Sequence, residues 1–218
     1  MTRDTIFITT GPGYEPLDQV RRLTNFSTGK LGTGLGNFLA DRGYRVICFA
    51  GETRTFREPN RAEAVVEFGT GRDLLDRLRE WSGKESPRAL FHVAALGDFQ
   101  VADIHDAQGR KLEGAKIPSR EGELVLRLKP APKVIPHLRG LFPAARIVGW
   151  KYELEGDAAR ALRHAAEQIA ENRTDACVVN GRAYGPGFGL VGAGDGCRHA
   201  DGPGELYTLL ESHLLARE

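Results

Sequence analysis

The 218-residue sequence predicts an α/β fold, a Rossmann-like doubly wound parallel sheet in a single domain spanning 1–218. Three observations predict it. Short apolar runs rich in β-branched and aromatic residues, such as Ile6-Phe7-Ile8-Thr9-Thr10, read as buried strands. Segments with apolar residues at helical spacing separate those runs. The expected strand ends carry Gly11, Asp98, Trp150 and Asn180, at the edge where open α/β sheets receive ligands.

The elements follow in order. After the first strand, Gly11-Pro12-Gly13 marks a turn, a polar loop follows, and a helix is expected to start at Ser27 or Thr28 and run to about Arg42. Such a helix start leaves N–H groups unpaired and partly positive, which suits a phosphate. Leu31, Leu35, Phe38 and Leu39 mark its buried face, and Gly32, Gly34 and Gly36 favour close packing on the sheet. Tyr44 to Ala50 and Ala64 to Phe68 read as strands, Gly71 to Trp81 as a helix, and Ala89 to Ala95 as a buried strand that leads to Asp98. From 102 to 132 the pattern changes to a polar, β-rich excursion with one alternating run, Glu123 to Leu128, and it is expected to form a lid or a subunit contact. Val134 to Leu141 and Asp157 to Asn172 read as helices, Ala145 to Leu154 and Asp175 to Asn180 as strands. A hairpin is expected within Gly181 to Gly204, and a helix over Glu205 to Ala216.

Composition narrows the function classes. A hydrophobic content of 41% and a charged content of 27% are ordinary for a soluble globular protein. The net charge of +1 argues against nucleic acid or an anionic membrane as the main partner. No apolar run approaches the roughly 20 residues of a membrane span, and no signal-peptide core is read, so a cytoplasmic location is expected. Cys48 and Cys177 lie in apolar strand runs and read as buried thiols, and the scattered histidines imply no metal site.

Several motifs in order carry a resemblance. Asp18-Gln19-Val20-Arg21-Arg22-Leu23-Thr24-Asn25-Phe26-Ser27-Thr28-Gly29-Lys30-Leu31-Gly32 is the most specific, followed by Ala94-Ala95-Leu96-Gly97-Asp98-Phe99, Lys116-Ile117-Pro118-Ser119, Val148-Gly149-Trp150-Lys151 and Asp175 to Asn180. Over nearly the whole chain the sequence resembles the phosphopantothenoylcysteine synthetase (phosphopantothenate-cysteine ligase) family of coenzyme A biosynthesis.

The resemblance implies a reaction in which CTP or ATP, with Mg²⁺, activates the carboxylate of 4′-phosphopantothenate as an acyl nucleotidylate, which the amine of cysteine then attacks. It implies nucleotide contacts from Gly11, Ser27, Gly29, Gly32, Trp150 and Asn180, and substrate contacts from Ala94, Ala95 and Asp98. Asn25 would orient the reacting carboxylate, Lys116 would neutralise charge at the α-phosphate, and Arg21 would reach the substrate phosphate across a homodimer interface.

There are departures from the family pattern. Pro12 removes an N–H from the first turn, and Gln168 and Asn172 align where bacterial relatives place triphosphate lysines, with Arg163 or Arg173 as substitutes. Lys133 and Lys151 are similar to the eukaryotic branch, which leaves CTP against ATP open. No flavin-decarboxylase half is read ahead of the chain, so decarboxylation is expected to need another protein. Two rival readings stay open: an NAD(P)-binding Rossmann reductase, with Glu52 as ribose ligand, and a non-catalytic nucleotide-binding paralogue.

Overall fold

A strand can be apolar throughout only if both faces of its sheet are covered, and the β1 sequence Thr5–Thr10 meets that condition at the centre of the molecule. The computed structural model describes residues 3–118, 120, 122–192, 194 and 196–215. After β1 come β2 (Tyr14–Pro16), β3 (Arg22–Thr24), α1 (Lys30–Asp41), β4 (Arg45–Gly51), β5 (Ala64–Phe68), α2 (Gly71–Ser82) and β6 (Ala89–His92). Next follow β7 (Phe99–Asp106), β8 (Leu124–Pro130), α3 (Ile135–Leu141), β9 (Arg146–Tyr152) and α4 (Ala158–Asn172). The chain continues through β10 (Ala176–Gly181), β11 (Gly185–Gly192), β12 (Cys197–Ala200) and α5 (Pro203–Leu215).

The main sheet has eight strands in the order β12-β11-β10-β9-β6-β1-β4-β5. Strands β5, β4, β1, β6, β9 and β10 are parallel, and β11 and β12 extend the β10 edge antiparallel, which is the hairpin expected from the glycine-rich segment. From β1 the chain moves outward through β4 and β5, then returns to lay β6 on the other side of β1. The space beyond the β1 and β6 carboxyl ends is therefore the switch point, where crossover loops diverge and leave a crevice.

Side-chain alternation sends β1 residues to two cores. Ile6 and Ile8 pack with Leu35 and Leu39 of α1 and with Leu206, Leu210 and Leu214 of α5. Phe7 faces the opposite way, into Phe49, Leu74, Leu78, Leu138 and Phe142, and its ring meets Phe49 edge-on at 5.3 Å between centroids. A third cluster seats α4 on β10 through Ala161, Ala165, Cys177 and Val179. Cys48 and Cys177 are buried as expected, and burial pushes the Cys177 thiol up to about 12.

Helix α1 begins later than the sequence indicates. Gly29 takes a left-handed conformation, φ 82°, immediately before Lys30, which keeps Ser27 and Thr28 outside the helix. The helix then lies so close to β1 that a Cβ on Gly32 would stand 2.4 Å from Thr10 Oγ1. From the other side Tyr207 of α5 donates its hydroxyl to Leu31 O at 3.0 Å, and a Cβ on Gly34 would stand 2.5 Å from that hydroxyl.

Two small antiparallel pairs stand apart from the main sheet. β2 and β3 form a hairpin within the segment read as a loop, and β7 and β8 form a ribbon within the excursion expected at 102–132. The ribbon begins three residues earlier, at Phe99, because Phe99 pairs with Pro130. Ser119 and Ala216 lie outside the described residues.

The α1 glycines give a paired test. Gly32→Ala is expected to destabilise the fold by about 1–3 kcal/mol through overpacking against Thr10. In Gly36→Ala the new Cβ meets Ile8 Cδ1 at an ordinary 3.5 Å, so this variant should be neutral or gain up to about 1 kcal/mol. Urea unfolding of both variants measures the difference.

Candidate active site

The crevice is built from the exits of β1 and β6. Ala95 N–H donates to Gly11 O and Gly13 N–H to Ala95 O, each at 3.0 Å, so the two exits are stitched together beyond the sheet. Gly11 has φ +83°, and a Cβ on Gly29 would lie 3.3 Å from Gly11 Cα, so both positions require glycine. Thr10 Oγ1 donates to Gly29 O at 2.9 Å and holds the helix start in place.

At that start, Thr28 Oγ1 accepts from Lys30 N–H at 3.2 Å, and no acidic residue stands in the first turn of α1. Among the described residues no hydrogen bond is made by the N–H groups of Gly29, Leu31 and Gly32. Ser27 differs from expectation: its N–H donates to Asn25 O at 2.8 Å, a tight turn that occupies the group expected to face a phosphate. The unpartnered amides of Gly29, Leu31 and Gly32 lie further along, Gly29 and Gly32 buried and Leu31 half-buried.

Beside the helix start lies a cleft of about 170 Å³, walled by the β2–β3 hairpin, Asn25 and the 97–99 loop. Asn25 lines it, exposed, with one side-chain N–H donating to Leu96 O at 3.0 Å, which leaves the second N–H of that amide to give. Asp98 also lines the cleft and is ion-paired with Lys133, a lysine of the turn before α3. Glu15 shares the wall, and burial pushes its carboxyl above the ordinary value.

Beneath the Ala94-Ala95 loop, Ala94 N–H donates to Thr9 Oγ1 at 3.2 Å. The Thr9 hydroxyl then has its own proton to give to His92 Nδ1, 2.8 Å away. Burial pushes His92 down to about 4, so the ring is neutral at physiological pH and accepts at Nδ1.

Asp18 organises the turn between β2 and β3. Its carboxylate accepts from the backbone N–H groups of Val20, Arg21 and Ile117 at 2.9–3.1 Å and from the Arg21 guanidinium. Arg21 also donates to Ile117 O at 2.6 Å, and Gln19 N–H to Ala115 O at 3.0 Å. These bonds dock the residues on both sides of Lys116 onto the turn that leads into β3, and the Lys116 side chain stands exposed at the dock. The Arg21 guanidinium, its hydrogen bonds above all, holds the Asp18 carboxyl well below the usual carboxylate range. Neither Asp18 nor Glu15 was singled out from sequence; the Asp18 to Arg21 spacing, an Asx-type turn, is the signal that could have found the first.

Trp150 and Asn180 lie on neighbouring strands, with Trp150 opposite Val178 and Asn180 opposite Tyr152, on the face that α1 and α5 cover. Trp150 Nε1 and Asn180 Oδ1 are buried without a partner, a donor and an acceptor left unspent at the same sheet edge. The aligned triphosphate positions are elsewhere. Gln168 accepts from the Cys177 thiol near the start of β10, and Asn172 donates to Gln168 O further along α4, toward the opposite edge of the sheet. Arg163 points to solvent, and Arg173 closes the far end of α4 in a left-handed conformation, φ 53°.

The parallel core, its strand order and a crevice at the switch point define a protein of the Rossmann-like doubly wound α/β class. Residues 1–192 match the family model described as DNA/pantothenate metabolism flavoprotein C-terminal domain, and the chain belongs to that family. The chain is 31% identical over 221 residues to the coenzyme A biosynthesis bifunctional protein CoaBC of Mycobacterium tuberculosis (strain H37Rv), covering 96% of this chain and 50% of that protein. The solved DNA/pantothenate metabolism flavoprotein of Streptococcus pneumoniae superposes with a TM-score of 0.84 at 22% identity, covering 97% of this chain and 98% of that one. A Cab2 mutant solved in complex with phosphopantothenate-cysteine superposes with a TM-score of 0.71 at 17% identity, covering 98% of this chain and 86% of that one. The chain spans 40–50% of the length of the curated CoaBC relatives it matches. The family resemblance read from the motifs is borne out.

Two outcomes follow from the buried groups. Asp18 is depressed in the fold, so its contribution is full above its unfolded value of about 3.9 and is lost only in stronger acid. Tryptic cleavage after Lys116 should therefore be unchanged from pH 7 to 5 in the wild type, assayed against a control peptide, and faster in Asp18→Asn. For His92 the unfolded chain takes up the proton first as pH falls from 6.5 to about 4, so stability falls over that window. The loss amounts to about 3 kcal/mol, and urea midpoints across the range should show a shallower slope in His92→Gln.

Proposed function

We propose that the chain is a phosphopantothenate-cysteine ligase, forming the amide between 4′-phosphopantothenate and cysteine through an acyl nucleotidylate made with CTP or ATP. The observation that carries this reading is Asn25 in the lining of a cleft at the β1 and β6 exits, with the unpartnered N–H groups of Gly29, Leu31 and Gly32 at an α1 start that packs on the same β1 exit. An anion held by main-chain N–H groups and a carboxylate oriented by an amide are what nucleotidyl activation requires. The family membership and the names of the CoaBC relatives support the same chemistry.

In this reading the N–H groups of Gly29, Leu31 and Gly32 take the triphosphate, with Gly11 allowing its close approach. Trp150 and Asn180 lie beside the base, and their unspent donor and acceptor support a polar heterocycle there. Ala94, Ala95 and Asp98 line the acid's seat, and Asn25 presents its amide to the carboxylate. Lys116, carried on a docked segment, balances charge at the α-phosphate during attack. Among the described residues no group of three or more His, Cys, Asp and Glu could hold a metal, so Mg²⁺ is proposed to arrive with the triphosphate as part of that substrate.

Homodimerisation is proposed too. Phe99, Val125 and Leu128 on the ribbon are exposed apolar residues, a surface that gains from cover by a second copy. Arg21 is committed to Asp18 and Ile117 within its own subunit, so reaching a phosphate across an interface would use the part of its guanidinium fork those bonds leave over. Among the described residues no helix is long and apolar enough to cross a membrane, in keeping with small-molecule chemistry in the cytoplasm.

The test is pyrophosphate release with 4′-phosphopantothenate and CTP or ATP in parallel, cysteine added last. Release before cysteine and amide after it are expected. Asn25→Asp should lower release by about 10²-fold through loss of an oriented donor, with Lys116→Gln also slower. Silence with both nucleotides would remove the ligase reading.

A further inference from the structure

Three ionisable side chains line the cleft, Tyr14, Glu15 and Asp98. Tyr14 is hydrogen-bonded to Glu52, and Asp98 is paired with Lys133. Glu15 has no hydrogen-bond or ionic partner among the described residues. It is half-buried, opposite Leu23 in the β2–β3 register, and a Cβ on Gly97 across the cleft would stand 3.8 Å from its Cγ. Three residues on, Asp18 collects donors from Val20, Arg21 and Ile117. A carboxylate half-buried in a cleft wall without a protein donor gains from a ligand that supplies one.

The ligand is identified by chemistry. The acid substrate is anionic and would be repelled by Glu15; the second substrate of the ligase reading, an amino acid, carries an ammonium group. That ammonium must lose a proton before its nitrogen can attack. We propose that Glu15 receives the ammonium of the incoming amino acid and takes its proton as general base. This rests on the ligase reading.

The step balances. One ammonium proton passes to a Glu15 oxygen, and the freed nitrogen lone pair forms the C–N bond to the acyl carbon. The C–O bond to the nucleotide phosphate breaks with its electron pair on the phosphate oxygen, and the nitrogen's second proton leaves with that oxygen. Burial, which raises the Glu15 carboxyl, makes it a better proton acceptor. The charged groups facing it are Asp98 with Lys133, and Tyr14 with Glu52 lies on its own strand.

The test uses the full chain and reads pyrophosphate and amide in one reaction at pH 7, with Glu15→Gln beside the wild type. The ratio of amide formed to pyrophosphate released is expected to fall by about 10²-fold with cysteine. The ratio should recover as pH rises and free amine accumulates, and hydroxylamine, neutral at pH 7, should still trap the acyl nucleotidylate as hydroxamate. An unchanged ratio in Glu15→Gln overturns the proposal. Loss of both half-reactions with no hydroxamate also overturns it and assigns Glu15 to holding the wall. No pyrophosphate from the wild type overturns the ligase reading, and this inference with it.

Discussion

The approach of α1 to the end of β1 is the constraint on which the rest depends. Gly29 rests on Gly11, Gly32 rests on Thr10, and the Thr10 hydroxyl takes the Gly29 carbonyl. Any side chain larger than hydrogen at these positions would lift the helix from the strand. With the helix seated, Asn25, four residues before Gly29, is brought against the loop that leaves β6. Helix propensity alone disfavours this sequence, since Gly32, Gly34 and Gly36 each weaken the helix. Packing of Leu35 and Leu39 into the core compensates, at about 1.5–3 kcal/mol for each buried side chain.

Two carboxylates in the 15–18 stretch take opposite parts. Asp18 is saturated with donors and acts as a rivet between the turn before β3 and the segment around Lys116. Glu15 is left bare in the cleft wall. The difference lies in the backbone: Asp18 begins a turn whose next amides fold back on it, whereas Glu15 sits in a strand and is followed by Pro16, which has no amide to offer.

Much of the architecture was legible because alternation of period and strand-end punctuation are local signals. The strand Ala64–Phe68 and the helices around Gly71 and Asp157 lie where apolar spacing puts them, to within a residue or two. The late start of α1 was not legible, because it depends on Gly29 turning left-handed against Gly11, eighteen residues earlier in the chain. The β2–β3 hairpin escaped notice since three-residue strands carry too short an alternation to read. Asn25 and the 97–99 loop line the same cleft, and Asn25 bonds Leu96 just before that loop. Gln168 and Asn172 do not line it, because α4 runs back across the sheet and its last turns end at the amino edge. Pairings such as Asp98 with Lys133 join residues 35 positions apart and leave no periodic trace.

The Tyr207 hydroxyl bond to Leu31 spans 176 positions of the chain. Its consequence concerns biosynthesis. A nascent polypeptide emerging from the ribosome can pair its early strands, yet the opening turn of α1 lacks this brace until more than two hundred residues have been made. Contacts of such high sequence separation slow folding, and the start of α1 therefore matures later than the strands translated beside it.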